Sequence, residues 1–265
     1  AAEELEIVAR LGRSLAEAQR SSLKITATQN QKEAITSADF VLSTFRQGAF
    51  EARHLDEAIP LQYDIIGQET IGPGGFFFAM RTLPVIRSLL EDMQTSAPGA
   101  VLVNYTNPTQ IVAEAVTHFS RVPCISICDQ TRSDQEKILQ AMNMPDARVE
   151  LESVGLNHAT WSTHFTIDGE DGIQVMKRHL ETVLKRPDIE ARVKRQFQLA
   201  VEFERLPNSY MQYYYYREET VAEAKAAPKT RAQMILDSLP GYYQHFREQA
   251  QADTQIGRAS CRERV

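Results

Sequence analysis

The stretch Ala100–Asp129, with the sequence AVLVNYTNPTQIVAEAVTHFSRVPCISICD, predicts a strand, a helix and a second strand in succession. The apolar run Ala100–Val103 is rich in β-branched residues, which is typical of a strand buried on both faces in a parallel sheet. The amphipathic run Gln110–Phe119 then predicts a helix, and Pro123–Cys128 predicts the second strand. A strand–helix–strand unit of this kind indicates an α/β fold.

Polar side chains follow both strands of this unit. The segment Asn104–Pro108 comes directly after the first strand, and the second strand ends in a thiol beside a carboxylate, Cys128 and Asp129. In open α/β sheets, ligands bind beyond the carboxyl ends of the strands. The sequence therefore predicts that both polar clusters lie at the ligand-binding edge of the sheet.

The composition is that of a soluble globular protein, with 43% hydrophobic and 24% charged residues among 265. The net charge of −6 argues against a nucleic-acid-binding surface, which needs clustered Lys and Arg. No apolar run approaches the roughly 18 residues of a membrane helix, so we expect no membrane partner. The three cysteines, Cys124, Cys128 and Cys261, are odd in number and favour a reduced cytoplasmic compartment.

Four segments before this unit predict further elements of the α/β alternation. They are a helix at Ala1–Ala18, a strand at Ser22–Thr28, a short helix at Gln31–Ile35 and a buried strand at Ala38–Phe45.

A glycine-rich loop, Gly67–Gly75, precedes a long predicted helix at Phe76–Met93. Glycines let a backbone approach a ligand closely, but an ordinary surface loop is the alternative, and the loop is neither a P-loop nor a dinucleotide fingerprint. We expect the helix to face the core with Phe77, Met80, Leu83 and Ile86.

The second half of the chain predicts two strands, Arg148–Val154 and Trp161–Ile167, and a charged helical region at Ile173–Leu206. We assign most of the charge in that region to a solvated helix face. The last ten residues, Ile256–Val265, break with the preceding pattern and can be encoded by read-through of a sequencing-library adapter. We expect them to be foreign to the fold.

Cys128 and His158 are the candidates for a metal site. A thiolate and a neutral imidazole suit a borderline metal such as Mn²⁺, Fe²⁺ or Zn²⁺, and two protein ligands would leave positions open for substrate oxygens and water. The two residues are far apart in the sequence, however, and a buried structural Cys and His are the alternative. The residues alone leave both possibilities open.

Six motifs in fixed order resemble glycoside hydrolase family four: ADFVLSTF, RQGAFEARHLDEAIP, GQETIGPGG, VNYTNP, ICD and GLNHATW. The family comprises NAD- and divalent-metal-dependent 6-phospho-glycosidases with α-galactosidase and α-galacturonidase relatives. The similarity covers Ala1–Gln255 and implies an α/β fold. Its parts are a Rossmann-like parallel sheet of the lactate/malate dehydrogenase type, lacking the first βαβ elements, and an α+β substrate domain. We therefore place a partial NAD-binding domain at residues 1–130, a partial C-terminal substrate and metal domain at 131–255 and an adapter-derived scar at 256–265.

The resemblance implies hydrolysis of a 6-phospho-glucoside by redox-assisted elimination. NAD⁺ oxidises the C3 hydroxyl, a base removes the acidified C2 proton, the C1 oxygen leaves, water adds to the enone and the hydride returns. Mn²⁺ or another divalent metal would be held by Cys128 and His158. Tyr210 matches the family's base, with Tyr213 and Tyr214 as alternatives, and Asp129 matches the acid that protonates the leaving oxygen.

Further residues match binding positions of the family. The implied substrate-binding residues are Arg53, Glu69, Asn107, Asn157 and Arg231, and the implied cofactor-binding residues are Thr44 and Arg46. The resemblance also implies a phosphorylated disaccharide or glycoside as partner and a homodimer or homotetramer of the full-length parent.

Several functions stay open on the sequence. Asp129 favours the α anomer, but a β-specific enzyme is not excluded. An α-galactosidase or α-galacturonidase of the same family is the second reading. Two hypotheses lie outside this family: a dehydrogenase of the lactate/malate type and a non-catalytic binding module. The binding module is disfavoured because Cys128, Asp129, His158 and Tyr210 are all present.

Overall fold

The structure is a computed structural model that describes residues 2–251. Cys261 and the predicted scar at 256–265 lie outside the described residues. The helices are α1 Ala2–Ala18, α2 Gln31–Ile35, α3 Ala49–Leu61, α4 Gly72–Ser96, α5 Thr109–Phe119, α6 Gln130–Ala141, α7 Gly172–Lys185, α8 Ala191–Phe203, α9 Gln212–Tyr215, α10 Arg217–Ala226 and α11 Arg231–Gln251. The strands are β1 Phe40–Ser43, β2 Val101–Asn104, β3 Cys124–Ser126, β4 Val149–Leu156, β5 Ala159–Ile167 and β6 Glu170–Asp171.

The predicted strand–helix–strand unit is confirmed as β2, α5 and β3 of a three-stranded parallel sheet in the order β1-β2-β3. Leu102 of β2 pairs with Val41 of β1 and Cys124 of β3, and this face of the sheet is covered. Helices α2, α4 and α5 cover it and form one hydrophobic core around Leu102. The carboxyl ends of the three strands therefore meet at one edge.

The opposite face of this sheet is only partly covered. Val101 and Val103 of β2 are half-buried, so the prediction that the strand at Ala100–Val103 is buried on both faces is wrong for the described residues. Phe40, Leu42 and Ile125 are 70%, 61% and 58% exposed. Successive side chains of a strand point to opposite faces, and the helices that pack on this sheet lie on the Leu102 side only.

The predicted strand at Ser22–Thr28 is also wrong. This segment contains no strand and pairs with none of the six strands of the described residues. Its side chains favour a β-strand, but a strand also requires the backbone of a neighbouring strand as a hydrogen-bond partner. The segment has no such neighbour among the described residues.

A second core lies around an antiparallel sheet in the order β4-β5-β6. Phe165 and Ile167 of β5 pack against Met176 of α7, Phe197 of α8 and Ile138 of α6. The two cores share no buried residue, and the predicted boundary at residue 130 stays a prediction. Among residues 2–251, none of the helices combines the length and the apolar composition that a membrane span requires.

Helix α4 confirms the long helix predicted over Phe76–Met93, but its buried face differs from the expected one. Phe77 and Met80 are 56% and 57% exposed, whereas Phe78 and Ile86 are buried. Phe77 and Ile86 are nine positions apart, about two and a half helical turns, and so point to opposite sides. A spacing of three residues repeated along a helix drifts around its axis.

Substitution of Phe78 and, separately, of its neighbour Phe77 by alanine tests which face of α4 is buried. We expect Phe78→Ala to lower the free energy of unfolding by about 3–5 kcal/mol, because the ring is fully buried beneath the guanidinium groups of Arg46 and Arg81 and its removal leaves a cavity. We expect Phe77→Ala, the matched control, to change it by less than about 1 kcal/mol. Urea denaturation of both variants measures the difference, and equal losses would contradict the assignment.

Candidate active site

The buried side chain of Asn104 joins the carboxyl ends of the three parallel strands. Its Oδ1 accepts hydrogen bonds from Ser43 Oγ (2.8 Å) and from the Thr106 backbone N–H (3.1 Å). Its Nδ2 donates to the Thr106 carbonyl (3.1 Å) and to Ser126 Oγ (3.2 Å). All the hydrogen-bonding positions of the amide are thereby used. Asn104 thus fixes the edge after which the predicted site residues follow.

Cys128 and His158 lie together although they come from different sheets. Cys128 follows β3, and His158 lies in the turn between β4 and β5, with the peptide bond between Asn157 and His158 in the cis form. The distance from Cys128 Sγ to His158 Nε2 is 3.3 Å, and Asn157 Nδ2 also lies 3.3 Å from that nitrogen. Burial lowers the pKa of His158 and favours its neutral form.

This pair fits a divalent metal ion. A metal–sulfur bond of about 2.3 Å and a metal–nitrogen bond of about 2.1 Å put two ligands of one ion about 3.1–3.6 Å apart. The observed separation of 3.3 Å lies in that interval. Within residues 2–251, no group of three His, Cys, Asp or Glu side chains could hold a metal. The described protein therefore offers two ligands, which leaves coordination positions for other molecules.

Tyr210 lies beside the Cys128–His158 pair and comes from a third segment of the chain. It lies on the short 3₁₀ turn Ser209–Met211, and its ring stacks on His158 with centroids 4.2 Å apart. Gln68 of the glycine-rich loop donates from Nε2 to the Tyr210 hydroxyl oxygen at 3.3 Å. Burial, above all, raises the pKa of Tyr210, so a nearby cation would be required to make it basic.

The turn that carries Tyr210 is anchored by the buried carboxylate of Asp134 on α6. Asp134 accepts hydrogen bonds from the Ser209 backbone N–H (2.9 Å), Gln130 Nε2 (2.7 Å) and Gln196 Nε2 (3.3 Å). Since α6 begins directly after Asp129, this network ties the base candidate to the helix that follows the thiol.

The glycine-rich loop is packed into the protein and is not an ordinary surface loop. A Cβ on Gly67 would lie 1.7 Å from the Glu57 carbonyl oxygen, so only glycine allows this approach to α3. The buried Gln68 accepts at Oε1 from the backbone N–H groups of Thr70 (2.5 Å) and Ile71 (3.0 Å). The loop therefore positions its own side chains, and it directs the Gln68 amide at Tyr210.

Glu69 of this loop lies between two arginines. Its carboxylate oxygens are 2.5 Å from Arg46 and 3.2 Å from Arg53, and Arg53 also pairs with Glu57 at 2.6 Å. The structure thus brings a predicted cofactor residue and two predicted substrate residues into one charged cluster.

Two cavities adjoin Tyr210. The larger, of about 870 Å³, is also lined by Arg53 and Arg231. The smaller, of about 200 Å³, is also lined by Asn157 and His158. Tyr210 therefore separates an arginine-lined space from the space beside the metal-ligand candidates.

The remaining predicted residues lie at the edges of this arrangement. Asp129 hydrogen-bonds with Tyr105, whose pKa is raised by burial and by this carboxylate. Asn107 accepts from Thr109 Oγ1 at 2.8 Å, and Thr44 is exposed at the end of β1. These last two are not brought into contact with the Cys128–His158 pair.

Four residues near the candidate site are not among those predicted from the sequence: Gln68, Tyr105, Asp134 and Arg192, the last of which lines the larger cavity beside Tyr210. Gln68 and Tyr105 adjoin predicted residues, and this adjacency was a usable signal. Asp134 and Arg192 lie in helices whose charged residues look solvent-facing in sequence, and only the tertiary structure turns them inward.

Comparison with known proteins identifies the family of the chain. The family model described as family 4 glycosyl hydrolase matches residues 1–144, and the model of the C-terminal domain of family 4 glycosyl hydrolases matches residues 153–263. A maltose-6'-phosphate glucosidase of Bacillus subtilis (strain 168) is 32% identical over 229 residues, covering 81% of this chain and 51% of the relative. A 6-phospho-beta-glucosidase of Escherichia coli (strain K12) is 32% identical over 214 residues, covering 76% of this chain and 46% of the relative. The chain spans about half the length of the curated relatives it matches.

Solved structures confirm the predicted fold class. A 6-phospho-alpha-glucosidase from gut microorganisms in complex with NAD and Mn²⁺ has a TM-score of 0.81 and 26% identity, covering 97% of this chain and 61% of that one. A 6-phospho-beta glucosidase from Thermotoga maritima with manganese, NAD⁺ and glucose-6-phosphate has a TM-score of 0.77 and 25% identity, covering 93% and 57%.

Exchange of Asn104 tests whether its amide holds the edge of the sheet. Asn104→Asp keeps the shape but removes both donors and sets a negative oxygen against the Thr106 carbonyl. We expect the free energy of unfolding to fall by about 3 kcal/mol at neutral pH. The exposed Asn143, which accepts from Arg186, gives the matched control Asn143→Asp, for which we expect little change. Equal effects in denaturant titrations would contradict this role.

Proposed function

Because this chain belongs to family 4 of the glycosyl hydrolases, we propose that the complete protein hydrolyses the O-glycosidic bond of 6-phospho-glucosides with NAD⁺ and a divalent metal. The names of the relatives support the substrate class, since they include a maltose-6'-phosphate glucosidase, a 6-phospho-beta-glucosidase and a 6-phospho-alpha-glucosidase. The two solved relatives with NAD and manganese support the cofactors.

One observation carries the proposal. The two metal-ligand candidates, Cys128 and His158, lie 3.3 Å apart, and the ring of Tyr210 stacks directly on His158. A reaction that removes a proton from the carbon beside a metal-bound oxygen needs a base next to the metal ligands. Tyr213 and Tyr214 fit less well, because only Tyr210 contacts a ligand ring: Tyr213 packs on Tyr210 at 5.4 Å, and Tyr214 is 59% exposed.

The chain's residues take the following roles under this proposal. Bound NAD⁺ would accept the hydride from C3, and the metal held by Cys128 and His158 would polarise the C2 and C3 oxygens. Tyr210 would first lose its own proton to solvent, favoured by the positive charge of the neighbouring metal. Its phenolate oxygen then takes the C2 proton, and Gln68, which donates to this oxygen, holds its orientation. Asp129, held by Tyr105, gives a proton to the leaving C1 oxygen.

Other residues bind and orient. Thr44 and Arg46 follow β1 and are assigned to the nicotinamide cofactor, and Arg46 is fixed in place by Glu69. The substrate-binding assignments are Arg53, Glu69, Asn107, Asn157 and Arg231. A homodimer or homotetramer in the cytoplasm, with neither nucleic acid nor membrane as a partner, completes the proposal.

Assays of the complete protein test the function. We expect release of p-nitrophenol from a p-nitrophenyl glucoside 6-phosphate only when NAD⁺ and Mn²⁺ are both present, in a reducing buffer. Parallel α and β substrates decide the anomer. We expect Tyr210→Phe to reduce kcat at least about 100-fold, because the base is lost while the ring still stacks on His158. Tyr214→Phe is the matched control.

Two outcomes would overturn this proposal. Release that needs neither cofactor would exclude the redox elimination. Turnover of unphosphorylated α-galactosides or galacturonides, without turnover of the α- or β-glucoside 6-phosphate, would instead identify an α-galactosidase or α-galacturonidase of the same family.

The metal site has its own test, in which Cys124, a thiol within β3, serves as control. We expect Cys128→Ser to weaken Mn²⁺ binding at least about 10-fold, since a neutral hydroxyl replaces a thiolate ligand. We expect Cys124→Ser to leave it unchanged, because Cys124 faces Ser126 at 3.8 Å within the sheet. Isothermal titration of both variants with Mn²⁺ measures the affinities, and equal affinities would contradict the assignment.

A further inference from the structure

The larger cavity beside Tyr210 contains more positive than negative charge. Its charged lining residues are Arg53, Glu57, Lys137, Glu190, Arg192, Glu223, Lys229 and Arg231. Five are basic and three are acidic. Which of them form ion pairs with one another therefore determines the net charge that a ligand in the cavity would meet.

Most of these charges are already neutralised by close partners. Lys137 donates to both carboxylate oxygens of Glu190, at 2.9 and 3.0 Å, and Lys229 pairs with Asp237 at 2.6 Å. Glu223 forms a bidentate pair with the buried Arg195. Arg53 is held by Glu57 and Glu69, as described above.

Two guanidinium groups remain without a close carboxylate. Arg192 is the second residue of α8, its side chain is 25% exposed, and its nearest carboxylate is Glu190 at 4.0 Å, which is already bound by Lys137. Arg231 is the first residue of α11 and forms no ion pair with the described residues. The cavity therefore holds two positive charges that the protein does not balance.

Arg192 lines the same cavity as Tyr210 and Tyr213. Its positive charge acts on both Tyr210 and Tyr213, where it partly opposes the rise in their pKa values caused by burial. Arg231 reaches the same cavity from α11, whose start is held in place because the Ala232 N–H donates to Glu57 Oε2 at 2.9 Å. Helices α8 and α11 thus each present one arginine to this space.

We propose that Arg192 acts together with Arg231 as the phosphate-binding pair of this site and makes it selective for phosphorylated sugars. This inference rests on the proposed function and adds Arg192, which no sequence motif identified. A phosphate monoester carries a charge of about −1.5 to −2 at neutral pH, which matches the two unbalanced guanidinium groups. Arginine also fits phosphate geometry with two parallel hydrogen bonds.

Binding of glucose 6-phosphate and of glucose to the complete protein tests this pair without requiring turnover. We expect Arg192→Gln to weaken glucose 6-phosphate about 10- to 100-fold and to leave glucose unchanged, because only the phosphate loses its charge-assisted bonds. Arg192→Lys keeps the charge without the planar fork, and we expect it to recover part of the affinity. Inorganic phosphate, titrated alone, should lose affinity in the same order.

Arg178→Gln is the matched control, because Arg178 is an exposed arginine of α7 that pairs with Glu170 outside the cavity. Unchanged glucose 6-phosphate binding in Arg192→Gln would overturn the inference, as would an equal loss for glucose and glucose 6-phosphate. Hydrolysis assays separate the two proposals. Normal turnover with an unaltered KM in Arg192→Gln would refute only the phosphate pair, whereas phosphate-selective binding without hydrolysis would refute only the proposed function.

Discussion

The amide of Asn104 is the constraint on which the candidate site depends. A buried amide needs four hydrogen-bond partners, and here each partner comes from the end of a strand or from the turn after it. The polar segments that leave the sheet therefore start from fixed positions. Cys128 follows the third of these strands, and Arg46 follows the first. The positions of the metal-ligand candidate Cys128 and of the arginine that pairs with Glu69 therefore both depend on one side chain, that of Asn104.

The site is assembled from two cores. Cys128 and the arginine cluster belong to the parallel sheet and its helices, whereas His158 and Tyr210 are carried by the antiparallel sheet and the turn that Asp134 anchors. Since each core has its own buried residues, the distance between Cys128 and His158 reports how the two halves are docked. A ligand that bridges thiol and imidazole would therefore also connect the two halves.

Local patterns in the sequence predicted most of the elements and the chemical character of the site. The strand–helix–strand unit, the helix at Gln31–Ile35 and the polar strand ends follow from periodicity and from the rule for open sheets. Periodicity failed where it was sampled at the wrong interval, as for Phe77, and where a strand found no neighbour, as at Ser22–Thr28. The pairing of Cys128 with His158 came from family motifs, because no local spacing encodes a contact between separate sheets. Arg192 could not be predicted from the sequence for the same reason. Whether its charge has a close carboxylate partner depends on which side chains the fold brings into the cavity.

The partly covered face of the parallel sheet has a consequence for association between molecules. Phe40 and Leu42 of β1 and Ile125 of β3 expose apolar side chains on this face, and β1 is an edge strand among the described residues. An exposed apolar edge is a template for the addition of strands from other molecules. Association of molecules through this face and edge would bury the apolar side chains that the single chain leaves in contact with water.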